Sequence, residues 1–162
     1  MATATISIPA TITETTAESE LAIIDERRRV YQDEFGFNTF RDPRTNAITM
    51  VAGRVSAVIT TNTLGPQVRT LLDAAPVPVF SVGHRVWVFL TDSPTPTDNT
   101  AQLSVELFKH SAVPLFPGAL IVLPTPGNEK RCWLHLPDGK TRPSFTAVVD
   151  AVETAAAQAG SQ

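Results

Sequence analysis

The sequence predicts an α+β fold, a mostly antiparallel sheet built from hairpins with about four helices packed on it. Short apolar runs come in pairs separated by tight turns, a pattern typical of β-hairpins. Four other stretches repeat their apolar residues at helical spacing. Strands do not alternate singly with helices, and no glycine-rich phosphate loop is present. The sequence therefore argues against a doubly wound nucleotide-binding fold.

The chain has 162 residues, 43% of them apolar, which suits one domain with a buried core. We expect residues 1–15 to form a disordered arm, because this Thr/Ala-rich stretch lacks a packing pattern. Residues 16–155 are predicted to form a single α+β domain, and residues 156–162 a flexible tail. Neither a signal peptide nor a membrane span is recognisable, so the expected location is cytoplasmic. The excess of arginine over lysine is typical of a GC-rich bacterial genome.

The first half of the chain predicts a helix, a hairpin, a strand and a short helix. The first helix covers about Ala17–Phe35, with Thr15 as its N-cap in a capping box. A hairpin over Phe37–Val51 follows, since an Asp-Pro turn separates its two runs. Arg54–Thr60 alternates as a third strand, and Asn62 or Thr63 is expected to cap the short helix after it.

The second half begins with a hairpin over Val77–Thr91 that turns at Val82-Gly83-His84. A helix over about Asn99–His110 has an apolar stripe of Ala101, Val105 and Phe108, broadened by Leu103 and Leu107. Ala119–Leu123 is a continuous apolar run, which predicts a central buried strand. Lys130–Leu136 is its expected partner, and a last helix opens at Thr141 or Ser144. We expect strands near 48–51, 55–60, 86–91, 119–123 and 131–136 to share one sheet.

Cysteine and histidine usage excludes several kinds of site. Cys132 is the only cysteine, so an intrachain disulfide and a cysteine-based zinc site are both impossible. Its alternating strand context predicts a small apolar residue packed in a sheet. His84, His110 and His135 fall on a turn, a helix end and a strand, without metal-ligand spacing. No bound metal and no cofactor are predicted.

The charge balance limits the possible partners. The formal net charge is −3, which argues against a strongly electrostatic nucleic-acid binder. The run Arg27–Arg29 lies between acidic pairs on the first helix. We expect it to form ion pairs along a solvated face, for example between Asp25 and Arg29, with a phosphate-binding patch as the alternative.

Two segments resemble a known family. Ser81-Val82-Gly83-His84-Arg85-Val86-Trp87-Val88-Phe89 resembles the Ser-Gly-Gly-x-His-aromatic strand of the bifunctional DNA primase–polymerase N-terminal domains. Phe116–Pro126 resembles the strand of those domains that ends in a Val-x-Pro-Pro-Ser turn. The resemblance covers roughly residues 47–137.

The departures from that family concern its catalytic groups. The family places a pair of acids on an earlier strand to hold two metal ions for nucleotidyl transfer. The equivalent strand here is Arg54–Thr60, which contains no acid, and Arg85 occupies the position of the family's histidine. The resemblance therefore implies a metal-free relative that has lost polymerase activity and binds a partner.

The preferred hypothesis is a non-catalytic interaction or regulatory module that binds a protein or, weakly, a nucleic acid. Its candidate binding residues are the basic and aromatic side chains on or near the central hairpin: His84, Arg85, Trp87, Arg54 and Arg131. Core packing is the alternative role for Trp87 and Trp133. A second hypothesis is a small enzyme with a site near His84, Arg85 and Asp92. A third is an oligomeric assembly or regulatory protein that acts through helix 17–35.

Overall fold

A computed structural model describes residues 10–73 and 76–160, with the backbone alone for residues 10–15. It contains four helices among these residues: α1 (Ala10–Asp33), α2 (Gly65–Leu71), α3 (Thr100–Lys109) and α4 (Phe145–Gly160). The strands are β1 (Thr39–Arg41), β2 (Ile48–Val51), β3 (Val55–Thr61), β4 (Val79–Val82), β5 (Val86–Asp92), β6 (Val113–Leu115), β7 (Leu120–Val122) and β8 (Arg131–His135).

The strands form two antiparallel sheets, which confirms the predicted α+β class. One sheet has the order β1-β2-β7 and the other the order β6-β3-β5-β4-β8. The predicted hairpins are present as β1–β2 and β4–β5. The prediction that five strands share one sheet is wrong. Both edges of β2 are occupied, by β1 and β7, so β3 begins a separate sheet after Ala52 and Gly53.

Two strand assignments also need correction. The run 119–123 is not a central strand, because β7 lies at an edge of the three-stranded sheet. Its side chains alternate, with Ile121 buried and Leu120 63% exposed. Strand β8 does not pair with β7 but with β4, in the larger sheet.

The five-stranded sheet is buried on both faces. Successive side chains of a strand point to opposite faces. Val58, Val79 and Phe89 pack in one cluster with residues of α2, α3 and α4. Their strand neighbours, such as Ala57 and Phe80, pack in a second cluster with α1 and the three-stranded sheet. The molecule thus has three layers, with the large sheet in the middle.

The predicted apolar stripe of α3 splits between core and surface. Leu107 is fully buried and Leu103 packs against the same cluster. Val105 and Phe108, on the other side of the helix, are 53% and 59% exposed. Leu103 and Leu107 are one turn apart and face the sheet, and this orientation turns Val105 and Phe108 outward.

The helices at both ends of the chain are longer than predicted. α1 begins at Ala10, before the predicted cap, and residues 1–9 of the expected arm lie outside the described residues. α4 continues to Gly160 through the start of the expected tail, because Ala155 is buried and Ala156 packs against the same cluster. Residues 161 and 162 lie outside the described part of the chain.

Candidate functional site

The β4–β5 turn presents His84 and Arg85 at an exposed tip. Gly83 adopts a φ of 57°, a left-handed conformation that suits glycine. Asn62, at the end of β3, donates from its side chain to the carbonyl of His84 at 2.5 Å and from its backbone to that of Arg85 at 2.9 Å. The backbone N–H of Gly83 donates to the carbonyl of Lys130 at 2.6 Å. These hydrogen bonds therefore hold the turn to the segment that follows β3 and to the segment that precedes β8.

A groove of about 450 Å³ opens beside this turn, over β4, β5 and β8. His84 and Lys130 line it together with Trp87, Cys132 and Leu134. The groove thus combines polar and apolar lining residues. Of the five candidate binding residues, it contains His84 and Trp87, with Arg85 next to them on the turn.

Trp87 forms one wall of this groove. Its side chain is half-buried and lies directly against the backbone of Gly65, the first residue of α2. A Cβ at position 65 would stand 2.6 Å from Trp87 Cδ2, so only glycine fits there. The close contact holds the indole ring between helix and sheet. Trp87 is therefore partly a packing residue and partly a groove residue.

Cys132 is exposed, which corrects the prediction that it packs inside the sheet. It lies on β8 opposite Ser81 of β4, and both residues line the groove. The thiol donates to the carbonyl of Glu129 at 3.4 Å. It is exposed because β8 is the last strand of the sheet and the helical layer does not extend over it.

Arg54 lies far from the groove. It precedes β3, whose first residue, Val55, pairs with Asp92, whereas the last, Thr61, pairs with Val86 at the turn. Because a strand rises about 3.4 Å per residue, the two ends of β3 are about 20 Å apart. Arg54 lines a different cavity, of about 250 Å³.

Arg131 belongs to the other face of β8. It pairs with Val82, whose side chain packs in the cluster with α1, whereas the groove lies on the opposite face. Its Nε is buried and forms no hydrogen bond to any described residue. Burial lowers the pKa of its guanidinium. Arg131 therefore does not reach the groove interior.

The catalytic arrangement of the second hypothesis is not assembled. His84 precedes β5 and Asp92 ends it, so the length of the strand separates them. Asp92 is paired instead with Arg142, whose Nε lies 3.2 Å from its Oδ1. Among the described residues, Glu129 is the only carboxylate lining the groove. Within residues 10–73 and 76–160, no three His, Cys, Asp or Glu side chains are grouped to hold a metal ion.

A second concavity, of about 190 Å³, lies at the other end of α2. Arg69, Leu72 and Asp73 line it from the helix side, and His135 lines it from the end of β8. Both ends of β8 are thus flanked by depressions on the side that faces α2.

Trp133 is a core residue rather than a stacking platform. Its indole Nε1 donates to Tyr31 Oη at 2.8 Å, and Tyr31 donates to the carbonyl of Pro124 at 2.6 Å. The ring also packs edge-on against Phe80, with centroids 5.4 Å apart. Burial raises the pKa of Tyr31, and the hydrogen bond from Trp133 partly offsets this shift. These contacts connect β8 to α1.

The apolar face of α1 is largely used inside the molecule. Ile24 and Tyr31 are buried, and Ile23 is the only large apolar side chain exposed between residues 16 and 33. The expected pair between Asp25 and Arg29 is absent among the described contacts. Arg29 pairs with Glu26 at 3.0 Å, and Asp25 with Arg41 of β1 at 3.3 Å.

Three residues shape these regions in ways that the sequence patterns do not indicate: Asn62, Gly65 and Arg142. The prediction that Asn62 or Thr63 caps α2 is wrong, because Leu64 occupies the N-cap position without a side-chain hydrogen bond and Asn62 donates to the carbonyl of His84. The Gly65-Pro66 pair signals a helix start equally well with or without a tryptophan above it. Arg142 also donates from Nη1 to the carbonyl of Phe35 at 3.1 Å. Its partners are distant in sequence, so no local pattern identifies it.

No described helix combines the length and the apolar character needed to cross a membrane. Comparison with protein-family models, with curated proteins and with solved structures finds no match to this chain.

Proposed function

We propose that the chain is a non-catalytic module that binds another protein along β8 and the groove beside it. The observation that supports this best is the open edge at β8. This strand pairs with β4 on one side and with no described strand on the other, next to a groove of about 450 Å³. The resemblance to primase–polymerase domains, the loss of nucleotidyl transfer and a cytoplasmic location remain predictions from the sequence.

The distribution of ionisable groups supports binding rather than catalysis. A general acid and base must lie within hydrogen-bonding reach of a common substrate. His84 and Asp92 are separated by the length of β5, and Asp92 is occupied by Arg142. The groove therefore does not bring His84 and Asp92 together for proton transfer. Its shape and its main-chain groups are better suited to binding another molecule.

The distribution of arginines makes nucleic acid the weaker alternative. A nucleic-acid interface concentrates basic residues on one face or along one groove. Here Arg54 lies at the opposite end of the sheet, and the side chain of Arg131 lies on the opposite face of β8. Among the described lysines and arginines, Lys130 lines the groove and Arg85 is next to His84 on the turn.

The test uses Cys132 as an attachment point for a photocrosslinker, since it is the only cysteine. We expect a crosslinker attached at Cys132 to capture a discrete protein from a lysate of the native host. A Cys132→Ser, Val113→Cys variant serves as the control, because Val113 is exposed on the edge strand β6 at the other side of the sheet. Equal capture from both positions, or capture from neither, would contradict the proposal.

The prediction of lost polymerase activity has a separate test. Primer extension with magnesium or manganese is expected to give no template-dependent product. Template-dependent product would contradict both the sequence prediction and the non-catalytic assignment.

A further inference from the structure

We infer that the partner contributes an extended acidic segment that adds to the five-stranded sheet as a strand alongside β8. This inference rests on the proposed function and specifies its binding mode. Strand addition joins main-chain N–H and C=O groups across an open sheet edge, and pockets for alternate side chains give specificity.

Among the edge strands of the two sheets, β8 is the best suited to accept a strand. It has five residues and no proline. β6 and β7 have three residues each, and β6 contains Pro114, which lacks an N–H group. β1 also has three residues and contacts α1, through the ion pair of Arg41 with Asp25 among other contacts.

The charge around β8 is opposite in sign to that of the whole chain. The formal net charge of the chain is −3. On and next to β8, however, Lys130 and Arg131 face a single acid, Glu129. Arg69 and Asp73 balance each other in the cavity at the other end of the strand. Opposite charge steers and orients a binding partner. The edge therefore favours an acidic segment.

The same charges disfavour two other occupants. A second copy pairing antiparallel through its own β8, centred on Trp133, would place Arg131 opposite His135, so no acid would meet Arg131 across the interface. A single-stranded nucleic acid would satisfy the charge, but it has no main-chain amides to pair with the strand edge. Only a polypeptide can both form main-chain hydrogen bonds with the strand edge and carry the opposite charge.

The groove indicates which side chains the segment needs. Side chains of an added strand alternate between the two faces of the sheet. Those on the side of α2 would lie beside Cys132 and Leu134 of β8, at the outer margin of the groove. Those between them would point to the side of α1, where acidic side chains would meet Arg131. We therefore expect apolar and acidic residues to alternate.

The experiment selects binders from a displayed library of random peptides about ten residues long, a usual upper strand length. Two pairs of variants are compared with the native chain. Cys132→Trp fills the groove, and Val113→Trp is its control on the other edge. Lys130→Glu reverses a charge at β8, and Lys109→Glu makes the same change on α3, where Lys109 is exposed.

We expect the selected peptides to be rich in Asp and Glu, to alternate with apolar residues and to lack proline. A synthetic peptide of the consensus should bind about fivefold more weakly to Lys130→Glu, the size of one exposed ion pair. Binding to Lys109→Glu should be unchanged. Binding should also protect the β8 amides from hydrogen exchange.

The possible failures are distinguishable. If no selected peptide is sensitive to Cys132→Trp, the proposed binding site itself is wrong. If sensitive peptides are found but they lack acidic residues, tolerate proline or leave the β8 amides unprotected, the site stands and strand addition by an acidic segment is wrong. A thymidine oligonucleotide that binds more tightly than every peptide and is weakened by Lys130→Glu would also overturn the inference, in favour of nucleic acid.

Discussion

The two edges of the five-stranded sheet differ in how far they are protected from pairing. At one edge, β6 is only three residues long and has Pro114 at its centre, paired with Val58 of β3. At the other, β8 is longer, has no proline and borders a groove. Proteins commonly protect sheet edges with short strands and proline, because unpaired edges invite association.

The difference leaves β8 free to pair with another strand, as the proposed binding mode requires, whereas β6 is short and contains a proline. The two edges also differ in their immediate contacts, although Trp133 of β8 and Leu115 of β6 pack against the same cluster. Phe80 and Tyr31 contact Trp133 of β8 directly. β6 instead lies next to α3, whose Leu107 belongs to the other cluster. Substitutions are therefore expected to weaken one edge more than the other.

The largest expected effect comes from Phe80→Ala. Phe80 is 1% exposed and packs edge-on against Trp133 of β8. Its truncation should lower the free energy of unfolding by about 3–5 kcal/mol, the usual cost for a buried phenylalanine. Urea denaturation measures the loss, and hydrogen exchange should accelerate in β8 more than in β6. Leu107→Ala is the matched control. If Phe80→Ala accelerates hydrogen exchange equally in β8 and β6, the two edges do not differ in their support by the core.

Gly65→Ala is expected to cost about 1–3 kcal/mol through overpacking, because the new Cβ would overlap the ring of Trp87. Trp87 would be displaced into the groove beside β8. Tryptophan fluorescence and thermal denaturation measure the two consequences. Gly53→Ala is the control, since no atom lies within 4 Å of the Cβ position there. A neutral Gly65→Ala variant would show that the groove wall is not fixed by this contact.

Tyr31→Phe should destabilise the protein by about 1–2 kcal/mol, because it leaves the indole N–H of Trp133 and the carbonyl of Pro124 without their partner. The loss of stability should be concentrated in β8, because Trp133 connects this strand to α1. Denaturation near neutral pH measures it, with Phe108→Ala on the exposed side of α3 as a control for a ring change outside the core.

The same tyrosine gives the native protein a pH dependence. Burial raises the pKa of Tyr31 above its ordinary value of about 10. The unfolded chain therefore loses this proton at a lower pH than the folded chain, and the contribution to stability is complete below pH about 10 and decreases as the pH rises further. The native protein should lose more stability than Tyr31→Phe as the pH rises above about 10. Parallel curves would contradict the raised pKa.

The smallest expected effect on stability is that of Pro114→Thr, within about 0.5 kcal/mol for a substitution at a half-buried edge position. The variant restores an N–H group to β6 and should make this edge able to associate. Sedimentation at increasing concentration measures the effect. If the variant remains as dispersed as the native chain, strand length alone protects β6 and proline is not required.

The sequence predicted the local parts of the structure because local signals determine them. The β4–β5 hairpin is present where the Val82-Gly83-His84 turn indicated it, and Asn99 caps α3 by accepting from the N–H of Gln102 at 3.1 Å. The four helices and the antiparallel pairing also follow from periodicity and turn residues. Of the candidate site, the hairpin turn with His84, Arg85 and Trp87 was identified in this way.

The tertiary structure decided which strands became neighbours and which faces were covered. The pairing of β8 with β4 joins residues that are distant in sequence, and nothing in Arg131–His135 specifies that partner. For the same reason Cys132 became exposed, Arg54 and Arg131 separated from the turn, and Asp92 met Arg142. Apolar periodicity fixes which side of an element is buried only when one side is apolar. In α3 both sides are apolar, so packing against the sheet chose Leu107 and left Phe108 at the surface.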